Sequence, residues 1–553
     1  MVKVTKEEEK TQELERQAKI SQIVETYAHF AEEQGNVSMN DLIDAGITKD
    51  MVTYYFRNLK RLNLAAREEY PEKFHDIYLD DIIAESSKED LESAIASYDR
   101  LLITSAVTGC RADSDQLASM KAYCEDMDAH ILVLMSADPA HNKFAPGTDY
   151  GTVDRQLVND PDVTIVTHDI ALNSNLCLST IKLSAKQMDP AQSMLRLAQK
   201  TGSMIFASPK QRLKAAPVSN ENLPHFVMTT GAITLPDYTT DNYMSSRTAT
   251  IADHDHVMGA LVVEIVDKDI YHYRQIQRGE DGSIIDLGWQ YNPDGSIEEV
   301  DAWLVMGDLH SGSIDPDAFS ACEDITANIH IEKVIIHDGF DGMSINHHER
   351  NNVLARAKKA DLQLHDLQAE LIEYAEVLDI IATEWEGPEE IVLVKSNHDE
   401  FLSRYLDAGY YVKDPQNHHV ALKLALAMLN GEDPLRYGIE NSEIGGLKNQ
   451  DKIRWLKRDE DFKRSGVQLG AHGDKGNNGA RGSLRSMEQA YGQSVSGHSH
   501  SPEILRGAFQ VGTTSKLKLG YNQGGSTWCH TSCLVYPDGR RQLVNIIDGA
   551  WRL

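Results

Sequence analysis

Apolar positions recur with a helical period through the first seventy residues. Ile20, Ile23, Val24, Tyr27, Phe30 and Ala31 follow spacings of three and four, so residues 3–33 are expected to form a helix with one apolar face. Gly35-Asn36 would end it. Ser38 can cap a short second helix containing Leu42 and Ile43, Ala45-Gly46 makes a turn, and Thr48 can cap a third helix over 49–62 with Val52, Tyr55, Phe56 and Leu59 inward. This is the outline of a helix-turn-helix unit over residues 1–70. Arg57, Lys60 and Arg61 fall on its last helix, with Arg67 just beyond, and are candidate DNA contacts. A small helical bundle that mediates assembly explains the same pattern.

Residues 71–98 are acidic and read as a linker helix. Beyond them the period shortens. LLITSAV (101–107), ILVLMS (131–136), VTIVT (163–167), SMIFA (203–207) and FVMTT (226–230) are short β-type runs, with helical segments such as DSDQLASMKAYCEDM and PAQSMLRLAQK between some of them. The alternation predicts an α/β middle domain over 99–299 with parallel strands. Residues 257–300 then read as antiparallel strands, with hairpin turns at Glu280-Asp281-Gly282 and Pro293-Asp294-Gly295. After the first strand, SAVTGCRADS holds one glycine and no Gly-Lys pair, so a nucleoside-triphosphate loop is not supported.

Length and composition change the picture in three ways. A chain of 553 residues is too long for one core. Its net charge of −31 argues against binding nucleic acid over the whole surface, so any nucleic acid must meet a local basic patch or a metal. Six cysteines without a C-x-x-C pair make neither a disulfide scaffold nor a structural zinc site. The start lacks an apolar signal core, and no run approaches the length of a membrane helix. The expectation is a cytoplasmic protein with no membrane partner.

The chemistry lies in a third region, residues 300–553. The apolar strand at Trp303–Met306 runs into Gly307-Asp308-Leu309-His310. In KVIIHDG the strand runs into Asp338-Gly339, IVLVKSNHDE delivers Asn397, His398 and Asp399, in VQLGAHGD the strand runs into His472, and SVSGHSH places His498 and His500 after Gly497. A lone histidine is usually a packed or surface group. Successive strands that each end in a metal-type ligand are not what packing alone predicts.

The ordered set GDLH, HDG, SNHDE, AHGD and GHSH resembles the signature of the calcineurin-like metallophosphoesterases. Two positions depart from the usual pattern: His337 and Ser396 stand where that family generally has glycine. Neither change removes a ligand. The resemblance implies a β-sandwich flanked by helices, and a site for two divalent metal ions, Mn²⁺ being the first choice. Asp308, His310 and His500 would hold one ion, Asn397, His472 and His498 the other, and Asp338 would bridge them. His398 would stabilise the transition state or protonate the leaving oxygen. Asp399 either orients His398 or simply starts a helix. His337, His347, His348, His418, His419 and His530 have no motif support and read as core or surface histidines.

The catalytic region alone does not choose among a phosphoprotein phosphatase, a nucleotide phosphodiesterase and a nuclease. Three features favour DNA: the helix-turn-helix outline, the some 300 residues ahead of the metal region, and the glycine-rich loop after His472. That loop carries Lys475 and Arg481 as further candidate DNA contacts and reads as flexible. The metal region is similar to that of SbcD/Mre-type DNA repair nucleases, which place it first in the chain. The whole chain also resembles an early protein of T-odd-type tailed phages implicated in host-DNA breakdown. The expected function is thus metal-dependent DNA hydrolysis, with a regulatory nucleotide or phosphoprotein phosphoesterase as the alternative and a homo-oligomer as a further expectation.

Overall fold

The computed structural model describes residues 6–34, 37–136, 151–219, 223–238, 246–349, 352–519 and 522–552. The expected helix stop at Gly35-Asn36 lies outside them.

Helices α1 (Lys6–Gln34), α2 (Met39–Asp44), α3 (Lys49–Phe56) and α4 (Leu59–Glu69) form the N-terminal bundle. The apolar face of α1, with Ile23, Val24, Tyr27 and Ala31, packs against Leu42, Val52, Phe56, Leu62 and Ala66. Ser38 and Thr48 cap α2 and α3 as their hydroxyls suggested. The expected third helix over 49–62 is instead two. Arg57 turns left-handed at φ 67°, and the Asn58 side chain accepts the Arg61 N–H to start α4 afresh. An asparagine that satisfies a free N–H competes with helix continuation.

The expected linker helix over 71–98 is also replaced. The segment holds a strand, β1 (Asp76–Tyr78), and two short helices, α5 (Leu79–Glu85) and α6 (Lys88–Ile95). Ser86 and Ser87 interrupt the helical run, with Ser87 capping α6. Arg67 is structural: it pairs with Asp76 at 2.8 Å and lies over the rings of Phe74 and Tyr78.

Next come β2 (Arg100–Val107), α7 (Ser114–Met127), β3 (Ala129–Ser136), β4 (Thr152–Asp154), α8 (Arg155–Asn159) and β5 (Val163–Val166). They are followed by β6 (Ile170–Ala171), β7 (Leu176–Ser179), α9 (Leu195–Thr201), β8 (Ser203–Phe206), β9 (Arg212–Ala216), β10 (Val218–Ser219), β11 (His225–Thr229), α10 (Ser246–His254), β12 (Gly259–Ile265) and β13 (Tyr271–Gln277). β4 pairs with β1, tying the bundle to this region. A meander of β14 (Ile284–Asp286), β15 (Trp289–Tyr291) and β16 (Ile297–Glu299) leads onward, with the expected turns at Gly282 and Gly295 both at positive φ.

The third region contributes β17 (Ala302–Val305), α11 (Pro316–Asn328), β18 (Ile331–His337), α12 (Val353–Asp361), α13 (Leu367–Thr383), β19 (Glu390–Val394), α14 (Asp399–Asp407), α15 (His418–Leu429), α16 (Pro434–Glu440) and β20 (Ile453–Trp455). It ends with β21 (Lys463–Arg464), β22 (Val467–Gln468), α17 (Leu484–Tyr491), β23 (Ser494–Ser496), β24 (Glu503–Leu505), β25 (Ala508–Gln510), β26 (Gly525–Ser526), β27 (His530–Val535) and β28 (Arg541–Ile546).

Three sheets organise these strands. One runs β13-β12-β2-β3-β5, a second β20-β19-β18-β17-β27-β28, and a ten-stranded third β21-β22-β23-β25-β24-β9-β11-β8-β7-β6. Strand alternation sorts the apolar side chains into layers. Ile103, Leu132 and Leu261 from the first sheet and Val305, Ile335 and Val392 from the second point into one core against Leu213, Met228, Ile504 and Phe509 of the third. The opposite faces are covered by helices, α7 and α8 on the first sheet and α11 and α13–α16 on the second. The α/β expectation therefore appears, and the second and third sheets face each other in a sandwich-like layer. The third sheet and the inner core, however, run straight through the expected boundary between 99–299 and 300–553. β9 pairs with β24 across that boundary, so the two regions share one core rather than meeting as separate domains.

Candidate metal centre

The site forms where β17, β18 and β19 end and where the loops after β22 and β23 come back to them. Gly307 is required by close approach: a Cβ there would lie 2.6 Å from the backbone of Thr513. Gly497 answers the same need, since its Cβ would lie 2.0 Å from Oδ1 of Asp308. Both glycines of the sequence motifs thus let backbone pass against backbone or ligand.

His310, Asp338, His498 and His500 adopt left-handed backbones, with φ of 46°, 49°, 77° and 59°. Such conformations cost on the order of 1–3 kcal/mol each and collect at functional sites. Here they turn consecutive strand ends inward. Ligand atoms of Asp308, His310, Asp338 and His500, all buried, lie within 4.8 Å of one another. His500 Nε2 is 3.3 Å from Asp308 Oδ2 and 3.0 Å from His310 Nε2. Asp338 Oδ2 lies between two imidazoles, 3.6 Å from His310 Nε2 and 3.4 Å from His472 Nε2. The backbone N–H of His498 donates to Asp308 Oδ2 at 2.6 Å, and its ring centroid is 5.3 Å from that of His472. Asn397 follows β19 on the same sheet end.

The residues present fit a cation. Oδ1 of Asp308, Oδ1 of Asp338 and Oδ1 of Asn397 are buried without a hydrogen-bond partner. Orphaned buried acceptors are costly unless something positive meets them. Carboxylate, amide and imidazole donors without thiolate suit first-row divalent ions. The buried cluster could hold a metal ion.

In the metal-free cluster carboxylates and imidazoles pair with one another. Burial opposes the charged form of Asp338, yet the facing imidazoles of His398, His472 and His310 outweigh it and hold the carboxyl well below its usual range. Burial alone would lower His310 and His472, but Asp338 raises both to about 9. His498 and His500 are lowered by burial. In the metal-free protein the raised histidines stabilise the fold fully below about 6.5, and that contribution is lost as pH rises through about 9. A cation needs them neutral, so binding at pH 7 must expel protons. The thermal midpoint of chelator-treated protein should therefore fall between pH 6.5 and 9, and Mn²⁺ added to weakly buffered protein at pH 7 should acidify it. Mn²⁺ binding without proton release would contradict this account.

Two acids near His398 refine the sequence reading. Asp399 starts α14, one of its two expected roles, and accepts the Ser396 N–H at 2.8 Å. Burial pushes it up to about 6. It braces the turn carrying Asn397. The residue that holds His398 is Asp341, whose carbonyl accepts from Nδ1 at 2.7 Å. The Asp341 carboxylate, itself fixed by the Ser313 hydroxyl at 2.8 Å, stands 3.5 Å from Nδ1 of His310. Asp341 was missed, although the spacing Asp338-Gly339-Phe340-Asp341 after a strand was a usable signal. Carboxylates behind ligand histidines typically matter about 10–100-fold in metal affinity or activity. Asp341→Ala should lose that much by metal titration; unchanged affinity and turnover would remove it from the site.

His337 is a core histidine, fully buried, its Nδ1 3.4 Å from that of His472. The loop after His472 is braced rather than loose. Arg458 bonds Asp474, the Gly476 N–H donates to the Ala480 carbonyl at 2.7 Å, and Lys475 pairs with Glu400 at 3.1 Å. Arg481 is exposed beside it. Arg57, Lys60 and Arg61 are exposed in the N-terminal bundle, with Arg57 at the break and the other two in the first turn of α4.

Protein A1 of Escherichia phage T5 is 26% identical to this chain over 473 residues, which span 81% of this chain and 82% of that protein. The chain is similar to a protein of a T-odd phage. No family model and no solved structure matches it. Among the described residues, no helix is long and apolar enough to cross a membrane.

Proposed function

We propose that the chain is a metal-dependent phosphodiesterase that hydrolyses DNA, a calcineurin-like metallophosphoesterase acting on host DNA in the cytoplasm of a phage-infected bacterium. The observation that carries this reading is the convergence of Asp308, His310, Asp338 and His500, from three separate strand ends, on one buried point. Two divalent ions, Mn²⁺ by first choice, held by those residues together with Asn397, His472 and His498, would supply Lewis-acid charge and an activated water. The chain's own residues do the rest. Asp338, held ionised by its imidazole neighbours, stands between the two ligand sets. Nδ1 of His398 is engaged by Asp341, so Nε2 is the nitrogen that can give a proton to the leaving oxygen. His398 is about one-fifth exposed while Asp308, His310, Asp338, His472 and His500 are buried, which suits a group that meets substrate.

The test is a gel assay of purified protein with plasmid and linear DNA in Mn²⁺, Mg²⁺ and EDTA. Cleavage is expected in Mn²⁺, weaker cleavage in Mg²⁺, and none in EDTA. Full cleavage in excess chelator would refute the reading. Intact DNA alongside hydrolysis of nucleotides or phosphopeptides would favour the regulatory alternative.

DNA capture belongs in this proposal to Arg57, Lys60 and Arg61, exposed together around the start of α4. Cations that meet phosphates release counterions, so their removal should weaken binding at moderate salt and flatten the salt slope. With all three changed to Ala, the logarithmic slope should drop by up to about 0.9 for each phosphate no longer neutralised. Hydrolysis of a small chromogenic diester should not change. An unaltered slope with an altered mass in light scattering would assign the bundle to assembly instead.

A further inference from the structure

Residues 100–277 and 302–546 follow one plan. In each, three strands run parallel from the middle of a sheet outward: β2-β3-β5 in the first, and β17-β18-β19, extended by β20, in the second. In each, the chain then crosses to the ten-stranded sheet and returns as an antiparallel hairpin on the other side of the first strand, β12-β13 or β27-β28. The ten-stranded sheet reads the same from both ends. β21 and β22 pair antiparallel, as do β6 and β7; β22-β23-β25 are parallel, as are β7-β8-β11; β24 folds back on β25 as β9 does on β11. The two series meet at the antiparallel pair β9-β24, centred on Leu213 opposite Ile504.

The agreement extends to single bonds. Asp113 caps α7 and Asp315 caps α11, and their N–H groups donate to Ile233 O at 2.9 Å and Thr514 O at 3.0 Å. Leu235 N donates to Arg111 O and Lys516 N to Ser313 O, both at 2.9 Å. Isolated bridges join Ala112 to Thr234 and Ile314 to Ser515, and Ala232 to Met258 and Thr513 to His530.

The strand registers make the halves comparable residue by residue. Asp308 corresponds to Ala106, His310 to Thr108, Asp338 to Met135, Asn397 to Asp169, His472 to Ile181 and His498 to Ser208. The connection after β8 carries no histidine to match His500. Helix α10 covers these strand ends, with Ala249 and Ala252 packed on Val107, Cys110, Ala185 and Tyr238. Buried Lys210 lies 3.5 Å from Asp255, just past α10.

We propose that residues 100–277 are a second copy of the fold of residues 302–546, in which Ala106, Thr108, Met135, Ile181 and Ser208 replace ligands, Asp169 alone keeps a ligand-type side chain and α10 seals the strand ends, so that the chain is a single-chain pseudo-dimer with one working site. The silent copy serves as a fixed partner subunit. It buries one flank of the working half and carries the N-terminal bundle through the β1-β4 pairing.

Crystals of the full chain grown with Mn²⁺ test this, with data collected at the manganese edge. The expected result is that the two halves superpose strand by strand through a rotation near 180°, with every anomalous peak beside Asp308, Asp338 or His472. A rotation far from two-fold would overturn the duplication. A peak beside Thr108 or Ser208 would overturn the silence of the first half. In solution, the double variant Asp338→Asn, His472→Ala should retain no stoichiometric metal by mass spectrometry. A full equivalent of metal left on that variant would also overturn the proposal. The superposition decides the duplication even if the chain cuts no DNA.

Discussion

Asp338→Asn is expected to lose bound metal and hydrolysis together, whereas His398→Ala should keep its metal and lose turnover. The difference follows from position. Asp338 Oδ2 is shared between His310 and His472, and its Oδ1 is a buried acceptor with no partner. An amide there removes the charge that both ligand sets face, and its NH₂ group would point at a cation. His398 stands outside this set, held through Nδ1 by a backbone carbonyl. Its removal deletes a proton donor and leaves the carboxylates in place. General acid–base contributions run to about 10²–10⁴-fold. Metal analysis and turnover of a small diester, measured on the same preparations, separate the two roles. His398→Ala protein that loses metal as Asp338→Asn does would show that His398 belongs with the ligands. Circular dichroism of both variants guards against simple unfolding, because Asp338 is buried.

The candidate site was legible because its residues are announced locally. Each follows an apolar strand and stands next to a glycine or a polar run that packing does not require, as in Gly307-Asp308 and Gly497-His498. The individual strands of the middle region were legible for the same reason, through their short β-branched runs. What escaped was non-local. β9 and β24 are separated by nearly the whole middle of the chain, and nothing in RLKAA or EIL says that they pair with each other. The boundary at 300 therefore falls where the first ligand-bearing strand opens, at Trp303–Met306, rather than where the core ends. The break at Arg57 escaped because Asn58 reads as an ordinary polar residue until its side chain is seen to accept the Arg61 N–H. The repeated plan escaped too. It lives in strand order and register, while the ligand residues that would have announced a second site have become Ala106, Met135 and Ile181.

Arg274 marks the second large effect, on stability rather than chemistry. It is almost fully buried on β13 and forks between two carboxylates, bonding Asp286 at 2.8 and 2.9 Å and also Glu264. Glu264 has a second partner in Arg100 at 2.7 Å. Among the described residues Asp286 pairs with no other cation; it relies on the Tyr123 hydroxyl at 3.0 Å and the Gln542 amide at 2.6 Å. Gln542 belongs to β28, so this cluster stitches the two halves where β13 runs beside β28 and the Tyr273 N–H donates to Asn545. Arg274→Met keeps much of the volume and strands the Asp286 charge in the interior. Removing one partner of a buried pair costs about 3–5 kcal/mol, because the remaining charge is left uncompensated. Adding Asp286→Asn to Arg274→Met should recover part of that loss, since a neutral amide can still bond Tyr123 and Gln542. Urea midpoints of the two single variants and the double variant measure the coupling. The metal content of the folded fraction should stay at the wild-type level in all three, because none of these residues touches the strand ends that carry the site. An Arg274→Met protein within about 1 kcal/mol of wild type would show that Asp286 is solvated or protonated in the fold, and that the apolar core, not this ion cluster, holds the halves together.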